Sequence, residues 1–354
     1  MSRYLENAII ELKQNKTGRE AGRVFHLFAT FCDQQLQNPH NIEDYERALK
    51  LKQDKEGEVN QLAQMLKTNA NKNAVVRENA KAKSWLALDE QEYSHLRNNR
   101  DAFLEQSIAN YLKCLVACDD FDNDTVRFSA LWLAHWDEDR VNRVAAEVEN
   151  VPTRKLVPLI NQLSSRLQLE KDEHSTHSFQ GLLMKLIIRM CQQHPYHAIY
   201  QILAISKTRA KDEASLSRQR AAEYVINTLK GSATKRVMVG LEALTKVFEK
   251  LAHARGPQGA DKSRKITFKD VVPEHRTVFE RDIGKYNIPP PTMHIPIRAD
   301  CNYCSLPVIT RFDRTVILAS GVSMPKIIKC EASDGNVFKQ LVSTCRIPYY
   351  LRAS

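Results

Sequence analysis

Cys301-Asn302-Tyr303-Cys304 has the two-residue gap of a zinc-binding or redox pair. A tetrahedral site needs two further ligands, and His294 and Cys330 are the nearby candidates. No second cysteine pair supplies the other half, so these residues are read as unpaired loop thiols. His174 with His177, and His194 with His197, share the i, i+3 spacing that lets two imidazoles on a helix face one ligand. Neither pair has a glutamate at metalloprotease spacing, and both are read as helix-end or core histidines. Taken alone, Lys326 in Pro325-Lys326-Ile327-Ile328 is a solvated lysine on a short strand. No Ser-His-Asp arrangement and no Walker-type glycine loop stands out.

The chain has 354 residues, 43% of them hydrophobic and 27% charged, with 11 Gly and 13 Pro. This is the balance of a helix-rich globular protein with room for two or more domains. A net charge of +10 would suit a nucleic-acid partner only if the cations clustered. Asp212 and Glu213 interrupt the stretch Lys207 to Arg220, and Lys262 to Lys269 offers Phe268 as its one aromatic. These are read as solvated helix faces and a basic loop. The most apolar decapeptide, Gly181 to Met190, contains Lys185 and Arg189, so no membrane span and no membrane partner is expected. The N-terminus lacks the apolar stretch of a secretory signal, and eight scattered cysteines read as reduced thiols of a cytosolic or nuclear protein.

Holding these residues in place requires helices first and strands later. Leu104, Ile108, Tyr111, Leu112 and Leu115 form one helical stripe. Leu182, Leu183, Leu186, Ile187 and Met190 form a second, and Leu156, Leu159, Ile160, Leu163 and Leu167 a third that starts near Pro152. Polar breaks at Cys118 to Asp124 and Glu170 to Ser178 separate them. The expected class is mostly α: a solenoid of helical hairpins over residues 1–230, without a clean repeat period, followed by a helical and basic linker over 231–287. Trp85, Trp132 and Trp136 are expected in the helical core. Beyond Ile288-Pro289-Pro290-Pro291 come four short runs: Leu306 to Thr310, Thr315 to Ala319, Lys326 to Cys330 and Val337 to Val342. Ser333-Asp334-Gly335-Asn336 between the last two is a strong hairpin signal. A small antiparallel sheet is expected over 288–342, with a divergent tail over 343–354.

Several of these fragments, taken in order, resemble the ATM (ataxia telangiectasia mutated) kinases of the phosphatidylinositol-3-kinase-related family. In the sheet they are Pro291-Thr292-Met293, the turn Arg311 to Arg314, Gly321-Val322, Pro325-Lys326-Ile327-Ile328, Ser333-Asp334-Gly335 and Gln340-Leu341-Val342. In the helices they include Asn110-Tyr111, Leu131-Trp132-Leu133, Pro152-Thr153-Arg154-Lys155 and His194-Pro195-Tyr196-His197. The resemblance implies the end of a FAT helical domain joined to an incomplete kinase N-lobe. It also implies that Lys326 contacts ATP phosphates and that Arg311, Phe312 and Asp313 occupy the phosphate-loop position. Related kinases carry a small hydroxyl residue where this chain has Arg311, which weakens the case for contacts from that loop.

By the same resemblance, the intact protein is an ATP- and Mg-dependent protein serine/threonine kinase acting on Ser or Thr followed by Gln. It would serve in the nucleus in the response to DNA double-strand breaks, or otherwise in the cytoplasm. Its partners would be protein substrates, regulatory proteins and DNA-break sensor complexes, and it could form a homodimer. After Val342 the family continues with a lysine and an acidic, arginine-containing stretch, whereas this chain reads Ser343-Thr344-Cys345-Arg346-Ile347-Pro348. No Gly-Asp-Arg-His catalytic loop, metal-binding Asp-Phe-Gly or FATC segment occurs, so the 354 residues are expected to be inactive alone. The alternative is a non-catalytic helical-repeat scaffold with a vestigial sheet.

Overall fold

A computed structural model describes residues 2–12, 16–68, 72–169, 178–254, 265–267, 273, 282–319 and 324–343. Gly321-Val322-Ser323, the His174 and His177 pair, most of the basic run Lys262 to Lys269, and the tail from Thr344 lie outside the described residues. The chain forms two compact units. One is Met1–Lys155 with His177–Phe179, and the other is Leu156–Thr176 with Gln180–Ser354. The change of composition near residue 230 falls inside the second unit.

The first unit is built on two long helices, α3 (Pro39–Thr68) and α4 (Lys72–Ala117), with α1 (Ser2–Glu11) and α2 (Arg19–Gln37) before them. Along α4 the expected stripe is buried in full: Leu104, Ile108, Tyr111, Leu112 and Leu115. Phe25, Phe28 and Cys32 of α2 are buried in the same unit, and Ser107 donates to the Ala29 carbonyl at 3.2 Å. Each such apolar side chain stabilises the fold by about 1.5–3 kcal/mol relative to exposure. The polar break at Cys118 turns the chain into α5 (Asp124–Ala134), followed by α6 (Asp139–Ala145).

Trp132 is fully buried and donates to Asn142 Oδ1 at 3.1 Å. Trp85 and Trp136, expected in the core, are each 52% exposed. Trp85 lies on a solvent face of α4, and Trp136 follows the end of α5, where its ring tilts over Phe179 at 6.1 Å.

The third stripe is buried, apart from the half-buried Leu159, but it is not one helix. It is divided among α7 (Thr153–Leu156), a 3-10 turn and α8 (Ile160–Ser164). Pro158, lacking an N–H, sits within that 3-10 turn. From Gln180 on, the second unit carries the rest of α9 (Phe179–Gln193), followed in hairpins by α10 (Pro195–Ser206), α11 (Glu213–Lys230) and α12 (Lys235–His253). Asp212 caps α11 reciprocally with Ser215, and Lys230 reaches Glu242 of α12 at 2.7 Å.

The sheet is antiparallel throughout, with strands β1 (Lys265–Thr267), β2 (Ile309–Phe312), β3 (Thr315–Leu318), β4 (Lys326–Ala332) and β5 (Val337–Val342). β5 runs along one edge of β4, while β2 and β3 take successive stretches of the other and β1 extends β3. The Asp-Gly turn forms as expected: Gly335 takes φ +81° and Ala332 N–H donates to the Asn336 carbonyl at 2.9 Å. β2 starts three residues later than its apolar run, and it includes Arg311 and Phe312, which the sequence pattern assigns to the turn.

Candidate functional site: a basic cleft at the β2–β3 turn

Strand β4 alternates strictly between faces, and that alternation decides what its lysines can do. Lys326, Ile328, Cys330 and Ala332 are buried, whereas Ile327, Lys329 and Glu331 are half-buried on the opposite side. Lys326 Nζ donates to the Ala252 carbonyl at the C-terminal end of α12, 2.7 Å away. That carbonyl is one of those an α-helix leaves without an internal partner, so the ammonium meets both a hydrogen-bond acceptor and the negative end of the helix dipole. Burial pushes the Lys326 amine below its ordinary value.

Phe312, the register partner of Cys330, also points inward, edge-on to Phe248 of α12 at 6.3 Å. Cys330 lies buried under the sheet and its sulfur accepts from Gln340 at 3.2 Å.

On the other face Arg311, Lys329 and Glu331 line a cleft of about 590 Å³ together with Phe312, Asp313, Arg314, Cys330 and Val337. Arg311 and Glu331 are register partners and their side chains pair, with Nε to Oε2 at 2.7 Å. Asp313 makes the turn: its N–H donates to the Lys329 carbonyl at 2.8 Å and its carboxylate accepts from Thr315 N at 3.0 Å. Arg311, Arg314 and Lys329 thus give the cleft a cationic lining suited to phosphate oxygens. Its acids are engaged, Glu331 by Arg311 and Asp313 by the turn, so among the described residues the cleft fits the anion and not a divalent metal.

The structure therefore brings together Arg311, Phe312 and Asp313 with Arg314 and Lys329, and it does not bring Lys326 to them. Lys329 is the residue that sequence reasoning misses, although its odd offset from Lys326 along a strand already sets it on the other face.

The remaining candidates hold the segment before the sheet. His194 Nδ1 meets the Tyr303 hydroxyl at 2.7 Å, and His197 Nε2 donates to the Ile295 carbonyl at 2.9 Å. The two imidazoles thus serve different partners. Cys301 takes the left-handed conformation at φ +52° and lies 3.8 Å from His194, a neighbour that spacing alone does not suggest, while Cys304 is exposed.

No family model matches the chain. Among curated proteins it is 42% identical over 347 residues to the serine/threonine-protein kinase tel1 of Neurospora crassa, covering 96% of this chain and 12% of that protein. It is 29% identical over 272 residues to the serine/threonine-protein kinase ATM of Arabidopsis thaliana, covering 73% of this chain and 7% of the relative. A solved structure of the FAT and kinase domain of CtTel1 superposes with a TM-score of 0.83 at 39% identity, covering 96% of this chain and 22% of that one. The complete CtTel1 dimer with C2 symmetry gives 0.84 at 39% identity, covering 97% and 12%. The chain thus spans about an eighth of the length of the tel1 protein it matches. Helical hairpins leading into a small antiparallel sheet, matched over 96% of the chain by tel1 and by CtTel1, make the chain a segment of the Tel1/ATM family of serine/threonine kinases, from their FAT and kinase region.

Proposed function

We propose that this segment works inside an ATP-dependent protein serine/threonine kinase, its helices forming the end of the FAT clasp and its sheet opening the kinase N-lobe. The observation that carries the proposal is the cationic cleft at the β2–β3 turn, where Arg311, Arg314 and Lys329 face one space. Those side chains would bind and orient nucleotide phosphates. Bound Mg-ATP supplies the transferable phosphoryl group, and the metal ligands and catalytic loop belong to other parts of the kinase.

On this reading Lys326 supports the site from the opposite face, fixing β4 on the end of α12. Contact between Lys326 and phosphates would require it to give up the Ala252 carbonyl. The same reading puts the working protein in the nucleus, acting on Ser or Thr followed by Gln after DNA double-strand breaks, with break-sensor complexes as regulators. The C2 symmetry of the CtTel1 dimer supports self-association as a further partner mode.

The test is steady-state kinetics on the whole kinase that carries this segment. Arg314→Glu combined with Lys329→Glu is expected to raise the KM for ATP about 10-fold, equivalent to about 1.4 kcal/mol, with the peptide KM unchanged. Lys326→Met is expected to leave the ATP KM in place. An unchanged ATP KM in the double variant removes the cleft from nucleotide binding, and a rise in Lys326→Met alone transfers the phosphate role to Lys326. The burial of Lys326 also favours a scaffold reading, and a complete kinase without ATP-dependent phosphorylation would establish it.

A further inference from the structure

Three helices of the first unit converge where α4 ends, and they bring side chains of one chemical kind to the same point. His26 follows Gly22 by four residues on α2, so both face the same way. Cys114 and Cys118 are also four apart, on the last turn of α4 and just beyond it, and Asp124 opens α5. His26 Nδ1 lies 3.0 and 2.9 Å from the two carboxylate oxygens of Asp124. One donor atom each from His26, Cys114 and Asp124 lie within 4.8 Å of one another.

The surroundings shape this point as a site. Phe121 stacks on the His26 ring at 4.3 Å and 12°, fixing the imidazole plane. A Cβ on residue 22 would stand 2.2 Å from Cys118 Sγ, so the glycine is what admits the second thiol against α2. Cys114 and Asp124 are buried while His26 keeps 29% of its side chain exposed, which gives solvent access from one side.

The geometry points to a structural binding site for a zinc-class divalent ion, held by His26, Cys114 and Asp124 with Cys118 closing the tetrahedron. Nitrogen, thiolate and carboxylate donors suit Zn²⁺, with metal–ligand distances of about 2.0–2.3 Å that set the donors roughly 3.5 Å apart. Contraction from 4.8 Å to that spacing is within reach of side-chain rotation. Binding replaces each thiol proton by the metal and delivers it to solvent. The ion would clip α2, α4 and α5 together. Sequence spacing hides the site because His26 and Asp124 are separated by 98 positions.

The test uses the full chain, chelator-treated and titrated with Co²⁺ and then Zn²⁺. One saturable equivalent is expected, with the near-ultraviolet thiolate-to-cobalt band and strong visible bands of a tetrahedral site, and displacement by Zn²⁺. Cys114→Ser and Cys118→Ser should each weaken the thiolate band. His26→Gln should weaken Zn²⁺ by more than about 10-fold, the loss that even an outer-sphere partner causes. Cys32→Ser, a buried thiol outside the cluster, should keep the full spectrum. If Cys114→Ser loses its helical circular dichroism, the wild-type spectrum together with Cys118→Ser and His26→Gln still discriminates. Absence of a one-equivalent thiolate band in the wild type, or a band indifferent to Cys118 and His26, overturns the site.

Discussion

Asp33 accepts hydrogen bonds from Gln37 at 2.7 Å, from Tyr111 at 3.0 Å and from Arg127 at 2.8 and 2.9 Å. Burial pushes its carboxyl up, but the hydrogen bonds from Arg127, Gln37 and Tyr111 outweigh that and hold it below the ordinary carboxylate value. A folded value below the unfolded one means that the carboxylate's stabilisation is complete above about pH 4 and is lost as pH falls through the folded value. Asp33→Asn is expected to cost about 2 kcal/mol at pH 6 and to flatten the acid dependence of urea unfolding below about pH 4. Parallel stability curves for the two proteins would remove Asp33 from the acid response. The site is partly legible at this scale. The cationic turn Arg311 to Arg314 is visible in the letters, because charged residues between two apolar runs mark a strand connection. The fate of Lys326 is not, because its acceptor is a helix end 74 positions away.

Glycines in two helices separate local propensity from packing. Gly57 lies within α3 with nothing within 4 Å of where its Cβ would be. Gly57→Ala is expected to stabilise the chain by about 0.5–1 kcal/mol. Gly240 of α12 allows the segment around Tyr286 and Ile288 to cross closely, and an added Cβ would meet Tyr286 Cβ at 2.5 Å and Ile288 Cδ1 at 2.7 Å. Gly240→Ala is expected to destabilise by about 1–3 kcal/mol in spite of better helix propensity. Thermal melts of both variants check the contrast, and a stabilised Gly240→Ala would disprove the close crossing. Elements are legible to the extent that their periodicity is clean. The stripe from Leu104 to Leu115 and the Asp334-Gly335 hairpin are readable because each is a local code. The short strand β1 is not, since three residues carry no period and its strand pairing comes from β3, 50 positions later. The third stripe is buried as expected but broken by Pro158, since an apolar pattern records a face and not the hydrogen bonds beneath it.

For the molecule as a whole, the decisive quantity is how much of a nucleotide site 354 residues supply. A ligand at 100 times its Kd stabilises the folded state by about 2.7 kcal/mol, and for a unit of some 150–250 residues each kcal/mol moves the melting point by about 2–4 °C. A complete Mg-ATP site in this chain would therefore give a shift of more than about 5 °C. The chain presents Arg311, Arg314 and Lys329 on one side of a cleft, with its acids engaged by Arg311 and by the turn. It shows no catalytic-loop or Asp-Phe-Gly motif to hold metal, and Lys326 is committed to the end of α12. Three cations on one rim attract phosphate but do not enclose a nucleotide or its metal. Millimolar Mg-ATP is therefore expected to leave the melting transition of the 354-residue chain in place. Differential scanning fluorimetry with and without Mg-ATP decides the matter: a robust shift that disappears in Lys326→Ala would mean that the ammonium leaves the helix for the nucleotide, and the cleft reading would fall with it.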